Sequence, residues 1–182
     1  KWEKGPGYAL FKTMKEQIGN KPVIAEDLGF LTPSVIRLVK KTGYPGMKIL
    51  QFAFDSREES DYLPHNYTAN SVVYTGTHDN DTTLGWYHTI PACDRRFAKN
   101  YLNIKGNKKV TWEFIRAAIA SVSDTAIIPM QDYLELGSEA RINTPSTLGD
   151  NWKWRMSAEQ LSPELAEEIL ELCKLYGRVK EK

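Results

Sequence analysis

Three stretches of this chain gather side chains able to move protons or hold charge: Glu26-Asp27, the string His78-Asp79-Asn80-Asp81, and the loop from Arg141 to Trp154. A carboxyl group leaving a buried strand loses solvation. That favours its neutral form and raises its pKa toward working pH, so Glu26 has the makings of a general acid. The same pair also reads as strand-end carboxylates capping a loop. The string Thr77-His78-Asp79-Asn80-Asp81 allows three uses. One carboxylate could stabilise a cationic sugar transition state while the imidazole holds a hydroxyl. The carboxylates could hold a divalent cation, or the whole could be a polar loop. Asp79 to Thr83, read as D-x-D-x-T, also resembles the nucleophile loop of haloacid-dehalogenase-type phosphotransferases. Four residues, Thr75 to His78, intervene after the apolar strand and weaken that reading.

These residues need elements to position them. Leu10, Phe11, Met14 and Ile18 share one helical face that stops at Gly19-Asn20. The run Val23-Ile24-Ala25 predicts a buried strand ending in Glu26-Asp27. Thr32-Pro33 then opens a helix with Val35, Ile36 and Val39 inward and Gly43 as its stop. Met47 to Phe54, Ser71 to Tyr74 and Thr125 to Met130 predict three further strands, and 82 to 122 is mostly helical. Its clearest piece begins at Thr111 and turns Phe114, Ile115, Ala118, Ile119 and Val122 to one side. Ser162-Pro163 to Gly177 predicts a last helix with a start signal, one apolar stripe and a stop signal. Each candidate stretch therefore follows a strand end, where active sites of parallel sheets lie.

Strands alternating with helices predict an α/β fold with a parallel sheet, either open and doubly wound or a closed barrel. Four strands cannot close a barrel, and an eight-stranded one needs ~250 residues, so four strand-helix units make about half of one. With 182 residues, 41% of them hydrophobic, the chain is expected to form one domain spanning 1–182. A net charge of +1 offers no basic field to a polyanion, which excludes nucleic acid as an expected partner. No apolar run approaches the ~20 residues that span a bilayer, and KWEKGPGY has no signal-peptide core. The two cysteines, Cys93 and Cys173, lack metal-type spacing, and the expected setting is a reducing cytoplasm. Trp86, Tyr87, Trp152 and Trp154 could lie against sugar rings, although core packing is the commoner fate of such residues. Arg141, Asn143, Asn151 and Arg155 could bond hydroxyls, and equally could serve turns.

Taken in order, KGPGYALF (4 to 11), PVIAEDLGFLTPSV (22 to 35), GYPGMKILQFAFD (43 to 55), YLPHNYT (62 to 68), VVYTGTHDNDTTLGWY (72 to 87), GSEARINTP (137 to 145) and NWKWRM (151 to 156) resemble the amylomaltases of glycoside hydrolase family 77. The resemblance runs through essentially the whole chain. It implies the C-terminal half of a TIM (β/α)8 barrel, strands five to eight with their helices. It also implies transfer of α-1,4-glucan segments between maltooligosaccharides by a retaining double displacement. By resemblance, Glu26 is the general acid/base and Asp79 the transition-state-stabilising carboxylate. His78 holds the sugar at the cleaved position, Asp27 and Asn143 lie in the substrate groove, and His65 in PHNY approaches the sugars. No metal or organic cofactor is implied.

One departure matters. The family carries its nucleophilic Asp upstream, in an Arg-x-Asp-His string, and no such string occurs in residues 1 to 182. The chain also opens on Lys1-Trp2 without an initiator Met. The expectation is a truncated catalytic half that needs the missing N-terminal half of the same enzyme as partner and lacks the covalent step alone. An isolated sugar-binding or structural module is the competing expectation.

Overall fold

A computed structural model describes residues 1, 3–106 and 109–179. Trp2 of the opening dipeptide and the pair 107–108 within the predicted helical stretch lie outside the described residues. Three strands, β1 (Gly46–Ile49), β2 (Ser71–Tyr74) and β3 (Thr125–Ile127), form a parallel sheet in the order β1-β2-β3. The helices are α1 (Tyr8–Ile18), α2 (Pro33–Thr42), α3 (Thr83–Thr89), α4 (Ala92–Tyr101), α5 (Val110–Ala120), α6 (Met130–Tyr133) and α7 (Pro163–Leu175). The fold is therefore α/β with parallel strands, as the alternation of elements predicted.

The expected first strand is reduced to one bridge. Ala25 pairs with Gly46, its N–H donating to the Pro45 carbonyl at 2.9 Å. The ladder stops there because the next β1 donor, the Met47 N–H, is taken by the Asp27 carboxylate at 2.7 Å. Pro22 and Pro45, which have no N–H, supply no donors on either side. The α2 face was expected to be buried. Val35 and Ile36 are instead 39% and 42% exposed, since a single bridge gives that helix little sheet to cover. Gly43 stops α2 as predicted, with φ 73° in the left-handed region.

The strand expected to run to Phe54 ends at Ile49 and tightens into a 3-10 turn over Leu50–Ala53. That turn drops Leu50, Ala53 and Phe54 into the main apolar cluster with Leu63, Tyr87, Ala98 and Phe114. The Phe54 ring meets Phe97, Tyr101 and Phe114 edge-on at centroid distances of 5.4 to 5.8 Å. Trp86 and Tyr87 pack here too, so two of the four aromatics near the loops belong to the core. β3 likewise stops at Ile127, ahead of Pro129, and Met130 opens α6 instead of closing a strand.

Pairing register places Lys48, Val73 and Ala126 on one face of the sheet, and there Ala118 of α5 covers Val73. Met47, Tyr74 and Ile127 share the other face, which carries an open cavity. Most of the predicted α5 face is buried, but Val122, placed inward by helical periodicity, lies past the helix end and is 60% exposed. The last helix follows its signals. Ser162 Oγ accepts the Leu165 N–H at 3.2 Å, and Leu172 enters a cluster with Trp112, Ile115 and Ile119. Beyond it, the Arg178 guanidinium donates to the carbonyls of Ile119, Ser123 and Ser121 at 2.9, 2.8 and 3.0 Å, pinning the segment just after α7 to the turn between α5 and β3. No helix among the described residues is long and apolar enough to cross a membrane.

Candidate active site

The loop after β2 is shaped by its own side chains. Asn80 Oδ1 accepts from both the N–H and the hydroxyl of Thr77 at 2.8 Å, folding the string back on itself so that Asp79 projects from its tip. Gly76 lets the loop pass close to Gln51, since a Cβ there would sit 2.5 Å from Gln51 Nε2 and force that buried amide to shift. Asp79 is then gripped from the opposite loop. The Asn143 amide donates to Asp79 Oδ1 at 2.5 Å, and Arg141 donates through Nη2 to the Asp79 carbonyl at 2.8 Å. His78 Nε2 lies 3.3 Å from Asp79 Oδ1, and the His78 ring lies against the Trp152 ring with centroids 5.1 Å apart. Trp152 reaches it from a backbone at φ 65°, held by its N–H to the Ile142 carbonyl at 2.7 Å.

Glu26 opens onto the same space. A cavity of about 850 Å3 on the uncovered sheet face is lined by Glu26, Met47, Phe52, His78, Asp79 and Trp154, among others. Thus a carboxyl group from the bridge at Ala25 and a carboxylate from the loop after β2 flank one apolar-walled space. Glu26 itself is exposed, so the burial expected of it is not met within this chain. Asp27 goes elsewhere. It bonds the Met47 N–H and packs so tightly on Gly46 that any Cβ there would collide with its Oδ2. It lines a different cavity, beneath α2. His65 is also outside the shared space. Its Nδ1 is 2.9 Å from the Tyr101 hydroxyl, and it faces a cavity of about 440 Å3 with Arg116 and Tyr176. Of the six residues singled out, the structure therefore groups Glu26, His78, Asp79 and Asn143, and sets Asp27 and His65 apart.

The arrangement bears on the rival readings. A cation site or a D-x-D-x-T nucleophile loop needs Asp79 and Asp81 to converge. Asp81 turns instead to the Ser138 hydroxyl at 2.6 Å and the Thr82 N–H at 2.8 Å, while Asp79 turns to Asn143. Among the described residues no group of three or more His, Cys, Asp or Glu could hold a metal ion.

The sequence reading passed over Asp132, Gln51 and Ser138, which support this loop from below. Asp132 is 1% exposed, and burial pushes its carboxyl above the ordinary Asp range against the opposing pull of hydrogen bonds from Thr75 and Thr83. Their partners lie far away in the chain, so no local pattern could have announced them. The one available signal was an Asp two residues past the stretch Thr125 to Met130 that the sequence predicts as a strand.

Residues 1–161 match the glycoside hydrolase family 77 profile, described as 4-alpha-glucanotransferase. A 4-alpha-glucanotransferase of Streptococcus pneumoniae serotype 4 is 52% identical over 181 residues, covering 99% of this chain and 36% of the relative. That of Thermus thermophilus is 48% identical over 171 residues, covering 90% of this chain and 34% of the relative. Among solved structures, the amylomaltase from Streptococcus agalactiae in complex with acarbose aligns with a TM-score of 0.94 at 40% identity, over 99% of this chain and 37% of that one. The chain spans about a third of the length of the relatives it matches.

Proposed function

The chain belongs to the 4-alpha-glucanotransferase family, glycoside hydrolase family 77, and from that premise we propose that it carries the acid/base side of an enzyme that moves α-1,4-glucan segments between maltooligosaccharides. Its place in the whole protein is the C-terminal half of a TIM barrel, with the bridge at Ala25 and strands β1 to β3 as barrel strands five to eight. The observation that supports this best is the shared cavity, with Glu26 and Asp79 on its wall and the Asn143 amide holding Asp79 Oδ1. The solved relative from Streptococcus agalactiae carries acarbose, and a glucan chain is the ligand that we assign to this space.

In this reading Glu26 protonates the oxygen leaving the anomeric carbon, then takes the proton of the incoming 4-hydroxyl. Asp79 stabilises the cationic transition state, its charge aimed by Asn143 and His78. The carboxylate nucleophile comes from the part of the relatives' length that this chain does not span. That part would also cover the apolar wall of Met47, Phe52 and Ile127 and desolvate Glu26. Asp27 acts through structure, bracing the bridge that presents Glu26, and His65, which faces the separate cavity with Arg116 and Tyr176, is given no part in this assignment. A cytoplasmic setting belongs to the same reading, in keeping with Cys93 and Cys173 being free thiols.

The test is disproportionation of maltotriose, followed as glucose plus longer chains, by this chain alone and by the chain joined to the remaining two-thirds of its relatives' length. The joined protein should be active and the chain alone should not. Full-rate transfer by the isolated chain would refute the assignment of the nucleophile, and no transfer by either would refute the activity.

A further inference from the structure

We infer that Asp132, which does not line the cavity shared by Glu26 and Asp79, is a positioning residue that sets where the Asp79 carboxylate sits. The catalytic part of this inference rests on the transferase reading, whereas its structural part does not. Asp132 Oδ1 accepts the Thr83 N–H at 2.8 Å, and its Oδ2 accepts the hydroxyls of Thr83, at 2.8 Å, and of Thr75. Thr75 leaves β2 and Thr83 opens α3, so one carboxylate holds both ends of the loop whose tip is Asp79. Both threonines are completely buried. From the β1 side, Gln51 Nε2 donates to the Asp81 carbonyl at 2.9 Å and to Thr83 Oγ1 at 3.4 Å, so the Thr83 hydroxyl accepts from Gln51 while it donates to Asp132.

The neighbouring residue on α6 holds the other half of the contact. Gln131 Nε2 donates to the Ala140 carbonyl at 3.2 Å, fixing the turn that leads directly into Arg141 and Asn143. Two adjacent side chains of one short helix thus anchor the two loops that meet as the Asp79–Asn143 bond. The Asp81–Ser138 bond at 2.6 Å ties the same loops a second time. A buried carboxylate is a poor source of stability, because desolvation offsets most of what its bonds return, and apolar replacements of similar size often serve stability as well. What it supplies is a single geometry, since three donors converging on two oxygens admit few alternatives.

Amide exchange on this chain tests the structural part. Asp132→Ala should speed exchange of the loop amides Asp79 and Asn80 at least tenfold, while the β2 amide of Val73 changes less than twofold. Uniform acceleration over the whole chain, or an unchanged loop, would overturn the inference. Should Asp132→Ala fail to fold, Thr83→Val removes one donor without removing the carboxylate, and the same local pattern is required of it. In the joined protein, Asp132→Ala should lower kcat for maltotriose at least tenfold with KM within twofold. An unchanged kcat in the folded variant would overturn the positioning role. A wild-type protein that transfers no glucan would count against the transferase reading instead, leaving loop exchange to decide on Asp132.

Discussion

Removing the Arg178 side chain should loosen the far end of the molecule by a predictable amount. The guanidinium makes three hydrogen bonds, at 2.8 to 3.0 Å, to the carbonyls of Ile119, Ser121 and Ser123, and the group is half-buried. A hydrogen bond to a charged partner contributes ~1.5–3 kcal/mol when well shielded. Partial exposure brings each nearer 1 kcal/mol, so Arg178→Ala should destabilise the chain by roughly 3 kcal/mol. For a chain of this size that corresponds to a drop of about 6–12 °C in melting temperature. Arg178→Lys should recover about a third of the loss, because one ammonium cannot reach three carbonyls that a planar fork spans. The assay is thermal and urea unfolding followed by circular dichroism, with the urea slope checked for constancy so that the denatured state is comparable. A loss below about 1 kcal/mol, or a lysine variant as stable as the parent, would refute the clamp.

Glu26→Gln in the joined protein should cut transfer between natural maltooligosaccharides by about 10²–10⁴-fold, since an amide cannot shuttle a proton, and retained turnover would remove Glu26 from the role. Asn143→Ala should lower kcat about tenfold, the worth of one charge-assisted hydrogen bond to Asp79 at a partly solvated site, and a change confined to KM would show that Asn143 binds glucan without aiming Asp79. Burial raises the Asp132 carboxyl above its ordinary value of 3.8, so folding favours the protonated acid: its stabilising contribution is complete below 3.8 and is lost as pH rises through the raised folded value. Melting curves taken upward from pH 4 should show this decline in the parent and its absence in Asp132→Asn, and identical pH slopes would contradict the burial argument.

Helix punctuation was legible from single residues. Thr32-Pro33, Gly43, Ser162-Pro163 and Gly177 mark ends that the structure reproduces, Ser162 with a side-chain cap bond and Thr32 without one, because proline, capping and positive-φ preferences act within a turn of the residue concerned. Strand lengths were less legible, since Met47 to Phe54 is apolar but for Lys48 and Gln51, and no Gly, Pro or Asp interrupts it. Only the pull of the Phe54, Leu50 and Phe114 cluster converts its second half into a 3-10 turn. Periodicity likewise placed Val35, Ile36 and Val122 inward by their spacing. Whether an apolar face is covered depends on what else the chain brings to it, and here little arrives.

For the candidate site, the sequence by itself determined which groups exist and that the His78-Asp79 loop follows a strand, whereas Glu26 follows a single bridge and the loop from Arg141 follows α6 and a 3-10 turn. Only the tertiary structure decided that Glu26 and Asp79 share one cavity while Asp27 turns back to the Met47 amide and His65 pairs with Tyr101. It alone revealed Asp132, whose partners Thr75 and Thr83 lie 57 and 49 positions away. The reason is physical: caps and turns are settled by neighbours along the chain, whereas the direction of a polar side chain is settled by whichever donor or acceptor the packed fold brings within about 3 Å.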